Sequence, residues 1–143
     1  MLNKSVILSV ALGLLVGGAA WYASKPSAPT SDPSLPKGAP LAEVKVPALS
    51  GNEILGETAF NAKCAVCHGK NAAGQNGIAP PLVHAYYKPG HHGDMAFQLA
   101  VQNGVTSHHW PFGNMPPVQG LTQGDVKNIT AYVRALQVAN GIK

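Results

Sequence analysis

Five consecutive residues, Cys64-Ala65-Val66-Cys67-His68, concentrate the chemistry of this 143-residue chain, holding both of its cysteines with an imidazole directly after the second. A structural zinc needs four ligands, commonly two pairs at short spacing. The histidines that would complete such a site, His91-His92 and His108-His109, are adjacent rather than three to five residues apart. A redox dithiol expects a strand before the motif and a βαβ context, and no such pattern precedes Cys64. The third chemistry, covalent haem attachment, needs C-x-x-C-H as a unit. Each sulfur adds to one porphyrin vinyl group as a thioether, and two intervening residues let both sulfurs reach neighbouring pyrroles. His68 is then carried under the iron as its proximal nitrogen ligand.

A haem held by imidazole on one face needs a decision on the other. Met115 follows His68 by 47 residues, within the loop sequence Phe112-Gly-Asn-Met-Pro-Pro-Val118. A thioether ligand favours ferrous iron and raises the potential. The two prolines after Met115 stiffen the loop that would hold the sulfur. Met95 falls in the first turn of an expected helix and reads as packing. Trp110 and Phe112 are expected to wall the haem pocket on the methionine side, and Tyr86 and Tyr87 are candidate propionate partners. Five further histidines, His84, His91, His92, His108 and His109, leave three readings open. They bond backbone, water or propionates, or His108 or His109 replaces Met115 as distal ligand, or the two pairs bind a separate metal.

Three helices are predicted to position these groups. The first runs from about Glu53 to Ala65 after an Asn52 N-cap, with Leu55, Ala59 and Phe60 on its inner face. The second runs from Asp94, as its cap, to Asn103, with Gly104 terminating it. The third runs from the Thr122 N-cap to about Ala139. Asp125 completes a near-capping box, and Val126, Ile129, Val133 and Leu136 form a buried stripe. Gly-, Pro- and His-rich loops join the helices, and no strand is expected. The fold class is therefore all-α.

Ser5 to Ser24 contain no charged residue and are about long enough to cross a ~30 Å hydrocarbon layer as a helix. Residues 1–24 read as an export signal, favoured as an uncleaved anchor because Trp21 and Tyr22 sit at its interfacial end. Cleavage after the small residues ending at Ala20 is the alternative. Residues 25–50 carry six prolines and read as an extended tether. Residues 51–143 form the head, which is marginal in size for a protein-only core and has no disulfide framework to staple it. The formal charge of +4, with only 11% charged residues and no basic run, excludes a nucleic-acid partner.

These residues resemble the class I c-type cytochromes, small monohaem electron carriers, over about residues 52–140. The likeness rests on GETAFNAKCAVCHG (56–69), APPL (79–82), GNMPP (113–117) and LTQGDVKNITAYVRALQ (121–137). The resemblance implies the small cytochrome c fold, with three main helices and long loops around one covalent haem c, preceded here by an N-terminal hydrophobic helix. It implies a helix crossing at Gly56, Phe60 and Tyr132, and a Pro80 carbonyl that accepts the proximal imidazole N–H. The anchor and tether depart from the plainest soluble members and resemble membrane-tethered bacterial ones. The expected function is non-enzymatic one-electron transfer between redox partner proteins at the periplasmic side of the cytoplasmic membrane, or in the soluble periplasm after cleavage. A haem subunit of a larger oxidoreductase, and a haem enzyme or gas sensor with a labile sixth ligand, are the alternatives.

Overall fold

The two longest helices among the described residues meet through a position where no side chain fits. In the computed structural model, which describes residues 31–143, α1 (Asn52–Lys63) crosses α4 (Gln123–Ala139) in the most extensive helix pairing among those residues. A Cβ built on Gly56 would lie 1.9 Å from the Asn128 carbonyl oxygen and 2.9 Å from Tyr132 Cβ, so only glycine permits the approach. One turn on, Phe60 and Tyr132 are both fully buried, with ring centroids 5.5 Å apart and planes tilted by 56°. Around them close Ala72, Val83, Ile129, Val133 and Leu136, and these seven residues form the core cluster.

α4 follows its sequence pattern closely. Thr122 accepts the Asp125 backbone N–H, and the Asp125 carboxylate accepts the Thr122 backbone N–H, a complete capping box. Val126, Ile129, Val133 and Leu136 are all buried, as expected from their helical spacing. α1 departs from expectation at both ends. Its N-cap is Gly51, at φ +48°, rather than Asn52, and the first turn is closed by Glu53 accepting the Ser50 N–H. Leu55 is 57% exposed, because the buried face is set by Gly56 and Phe60 and Leu55 lies about 100° from Gly56 around the helix. The helix also ends at Lys63 instead of Ala65, and a short α2 (Ala65–His68) carries the rest of the motif.

α3 (Asp94–Asn103) has the expected bounds but not the expected cap. Gly93 is the N-cap, and Asp94 is the first helical residue, its carboxylate 2.9 Å from Arg134 Nε on α4. Two 3-10 turns, Lys70–Ala72 and Ala85–Tyr87, complete the regular structure. Among the described residues no strand forms beyond two isolated bridges, Gln75 with Ala79 and Val105 with Met115. The helical body and lack of strands fit the all-α expectation.

Residues 31–50, expected as part of a tether, instead lie along the helical body. Buried Asn76 donates to the Asp32 and Leu35 carbonyls, and its own side-chain oxygen accepts the Asp32 N–H at 3.0 Å. Leu41 and Ala42 both donate to the Ala73 carbonyl, Lys45 exchanges two bonds with Asn140, and Val44 and Leu49 pack on the core. Proline-rich backbone has few donors but free carbonyls, and an amide side chain such as Asn76 can dock it. The N-terminal hydrophobic helix predicted within residues 1–24 lies outside the described residues, as do residues 25–30 of the tether. No helix among the described residues is long and apolar enough to cross a membrane.

Candidate functional site

The break between α1 and α2 presents the motif. Cys64 is the last residue bonded into α1, through its N–H to Phe60, and its carbonyl accepts both the Cys67 and His68 N–H groups. The two thiols are therefore held one helical turn apart. Cys64 is half-buried against the core, Cys67 is exposed, and neither forms a disulfide. Burial pushes the Cys64 thiol up to about 11, with Cys67 beside it adding to the rise. A redox dithiol needs a nucleophile with a lowered value, and the direction at Cys64 is the opposite.

His68 is oriented by its second ring nitrogen. Nδ1 lies 2.9 Å from the Pro80 carbonyl oxygen and donates its proton there, since a carbonyl can only accept. That tautomer leaves the lone pair on Nε2, the arrangement of a metal-ligating imidazole with an outer-shell partner. Burial holds the ring below the ordinary imidazole range, against the opposing effect of the Pro80 bond, and so favours the neutral, ligating form. The structure thus brings Cys64, Cys67, His68 and Pro80 into one constellation.

Gln75 was not singled out in the sequence, although it belongs to the same constellation. Its side-chain N–H group donates to the Val66 carbonyl at 2.9 Å and the Cys67 carbonyl at 3.0 Å, capping the C-terminal end of α2. A glutamine in a polar loop carries no periodic signal, so only the chain reversal after the motif reveals it. That reversal runs through Asn71 and Ala72, both in the left-handed region at φ +55° and +57°. Such conformations cost a non-glycine residue about 1 kcal/mol or more each. They are offset by anchoring at both residues: the Ala72 carbonyl accepts the Leu82 N–H at 2.9 Å, and Asn71 accepts the Tyr132 hydroxyl at 3.4 Å.

Met115 is placed by a different device. Its N–H and carbonyl exchange bonds with Val105, at 3.0 and 2.9 Å, closing the neck of the loop between them. Gly104, at φ +75°, lets this segment approach, since a Cβ there would sit 2.4 Å from the Met115 carbonyl oxygen. The Met115 side chain is half-buried, and the residue's backbone bonds join it to Val105, not to the His68 constellation. Within the loop, Trp110 and Phe112 stack with centroids 5.6 Å apart, and the Trp110 indole N–H is buried without an acceptor. Of the surplus histidines, His91, His92 and His109 converge on one another, and His108 stacks beside His92.

The donor set fits a covalently attached haem. Two free thiols stand one turn apart, an imidazole follows with its Nδ1 committed to the Pro80 carbonyl, and a thioether lies on a pinned loop. A scan against protein-family models matches residues 54–137 to the family described as Cytochrome c. No curated protein and no solved structure matches the chain.

Proposed function

The chain belongs to the cytochrome c family and binds haem c covalently, and from that premise we propose a one-electron carrier attached through Cys64 and Cys67, with His68 and Met115 as axial ligands. The haem, when bound, supplies a ferrous–ferric couple. His68 would hold the iron through Nε2, because Nδ1–H is committed to the Pro80 carbonyl, a bond that would also raise the basicity of the ligand. Met115, on a loop closed by backbone bonds to Val105, would supply a thioether ligand, and a sulfur ligand would favour the reduced state. If His68 and Met115 both hold the iron, the chain would leave no open coordination site for a substrate, which would suit electron transfer without turnover.

Residues 1–24 tether the head at the outer face of the cytoplasmic membrane in this reading, and the partners are donor and acceptor proteins docking there. Cleavage of the segment would leave a soluble periplasmic carrier. A tether raises the local concentration of partners and suits small, short-lived encounters. The observation that carries the reading is the 2.9 Å bond from His68 to Pro80 immediately after the two free thiols.

Carbon monoxide tests it. The ferrous wild-type protein is expected to stay inert to carbon monoxide at neutral pH, whereas Met115→Ala binds it and has a lower reduction potential. Carbon monoxide binding by the wild-type protein would replace the carrier with a sensor or enzyme. An unchanged potential in Met115→Ala would remove Met115 as ligand.

A further inference from the structure

Apart from the haem motif, the densest group of metal-ligating side chains lies between two loops. Ligand nitrogens of His91, His92 and His109 all fall within 4.8 Å of one another, and the set contains no carboxylate. We propose that these three histidines bind one divalent transition-metal ion of borderline softness, such as zinc, nickel or copper(II), at a site separate from the haem.

The geometry supports chelation over simple side-chain contact. Nε2 of His91 and Nε2 of His109 face each other at 3.2 Å. Metal–imidazole bonds of ~2.0–2.1 Å at a tetrahedral angle place neighbouring ligand nitrogens ~3.3 Å apart. One ion between them therefore replaces a contact that otherwise requires one ring to donate to the other. His92 is set by its outer partner: its Nδ1 donates to the Tyr86 carbonyl at 2.5 Å, which directs its lone pair to Nε2. His108 adopts the same tautomer, with Nδ1 donating to the Thr106 carbonyl at 2.9 Å. Its ring centroid is 4.3 Å from that of His109, so it stands beside the three as the nearest further imidazole.

The loops that hold these rings are anchored to the core. Arg134 on α4 donates to the His92 carbonyl at 2.7 Å and to the Tyr87 carbonyl at 2.5 Å, and Gln137 adds a second bond to Tyr87. Tyr86 stacks on His109 with centroids 4.5 Å apart. Adjacent histidines on a regular helix diverge, but here His91 and His92 lie in the turn before α3 and His109 comes from the Val105–Met115 loop. Three imidazole nitrogens with no carboxylate among them select borderline ions over calcium or magnesium, which prefer oxygen. A bound ion would cross-link the turn before α3 to the loop that bears Met115.

Isothermal titration of zinc, and separately of nickel, into the untagged, full-length holoprotein tests the site. One ion per chain is expected. The affinity should fall at least about tenfold in His91→Ala and again in His109→Ala, the scale that loss even of an outer-shell partner produces. The haem absorption spectrum should be unchanged in both, which separates this result from any failure of the haem reading. His91 is exposed, so its variant reports even if His109→Ala does not fold. Binding equal in wild-type and His91→Ala protein, or no saturable one-to-one binding, would overturn the proposal.

Discussion

Gln75 shows how much of the haem motif's rigidity comes from a residue outside it. Its side chain bonds the Val66 and Cys67 carbonyls, and the Pro80 carbonyl fixes the ring of His68. Gln75→Ala would leave both carbonyls to water. A loss of roughly 1–3 kcal/mol of holoprotein stability is expected, from two hydrogen bonds at ~0.5–1.5 kcal/mol each. Chemical denaturation followed by far-ultraviolet circular dichroism measures it, and a wild-type midpoint would show that the cap contributes nothing. The constellation was legible in part: spacing marked Cys64, Cys67 and His68, and resemblance marked Pro80. Gln75 and Asn76 were not legible, because their partners are backbone carbonyls distant in sequence.

At the scale of elements, caps and crossings decide the outcome. The Thr122–Asp125 box starts α4, the helix that carries most of the core. Thr122→Ala should cost about 1 kcal/mol at neutral pH, as loss of a threonine N-cap commonly does. Asp125 adds a pH dependence. The hydrogen bonds from the Thr122 hydroxyl and backbone hold its carboxyl below the ordinary value, so the folded state binds the proton less readily than the unfolded chain. Its stabilisation is complete above about pH 4 and is lost as pH falls through the folded value. The difference in melting temperature between wild type and Thr122→Ala should therefore narrow below pH 4. A constant difference down to pH 2 would mean that the carboxylate plays no part in the cap. Both boundaries of α4 were readable from side chains, whereas α1 begins at a glycine, Gly51, that offers no side-chain signal.

The whole molecule has little protein core to hold it. Seven residues form the central cluster, α3 contributes no fully buried residue, and no disulfide links the loops. A domain of this size is marginal on such a core, and a covalent macrocycle adds a large apolar surface to it. The Cys64→Ala/Cys67→Ala protein, unable to attach haem, should be largely unfolded at 25 °C. A native-like circular dichroism spectrum with a cooperative melt would show that the polypeptide suffices. The segment 31–50 adds to this economy, since its carbonyls and its Val44 and Leu49 side chains extend the body without a further helix.

Read alone, the sequence determined the cofactor chemistry and the helices, because covalent haem attachment needs contiguous residues and an amphipathic stripe repeats within one element. Tertiary structure alone decided what lies between elements: the docking of residues 31–50 on Asn76, the Gly104 approach that pins Met115, and the meeting of His91, His92 and His109. Each joins groups through backbone carbonyls or close contacts across long separations. No local periodicity or spacing encodes such contacts, and they exist only once the chain has folded back on itself.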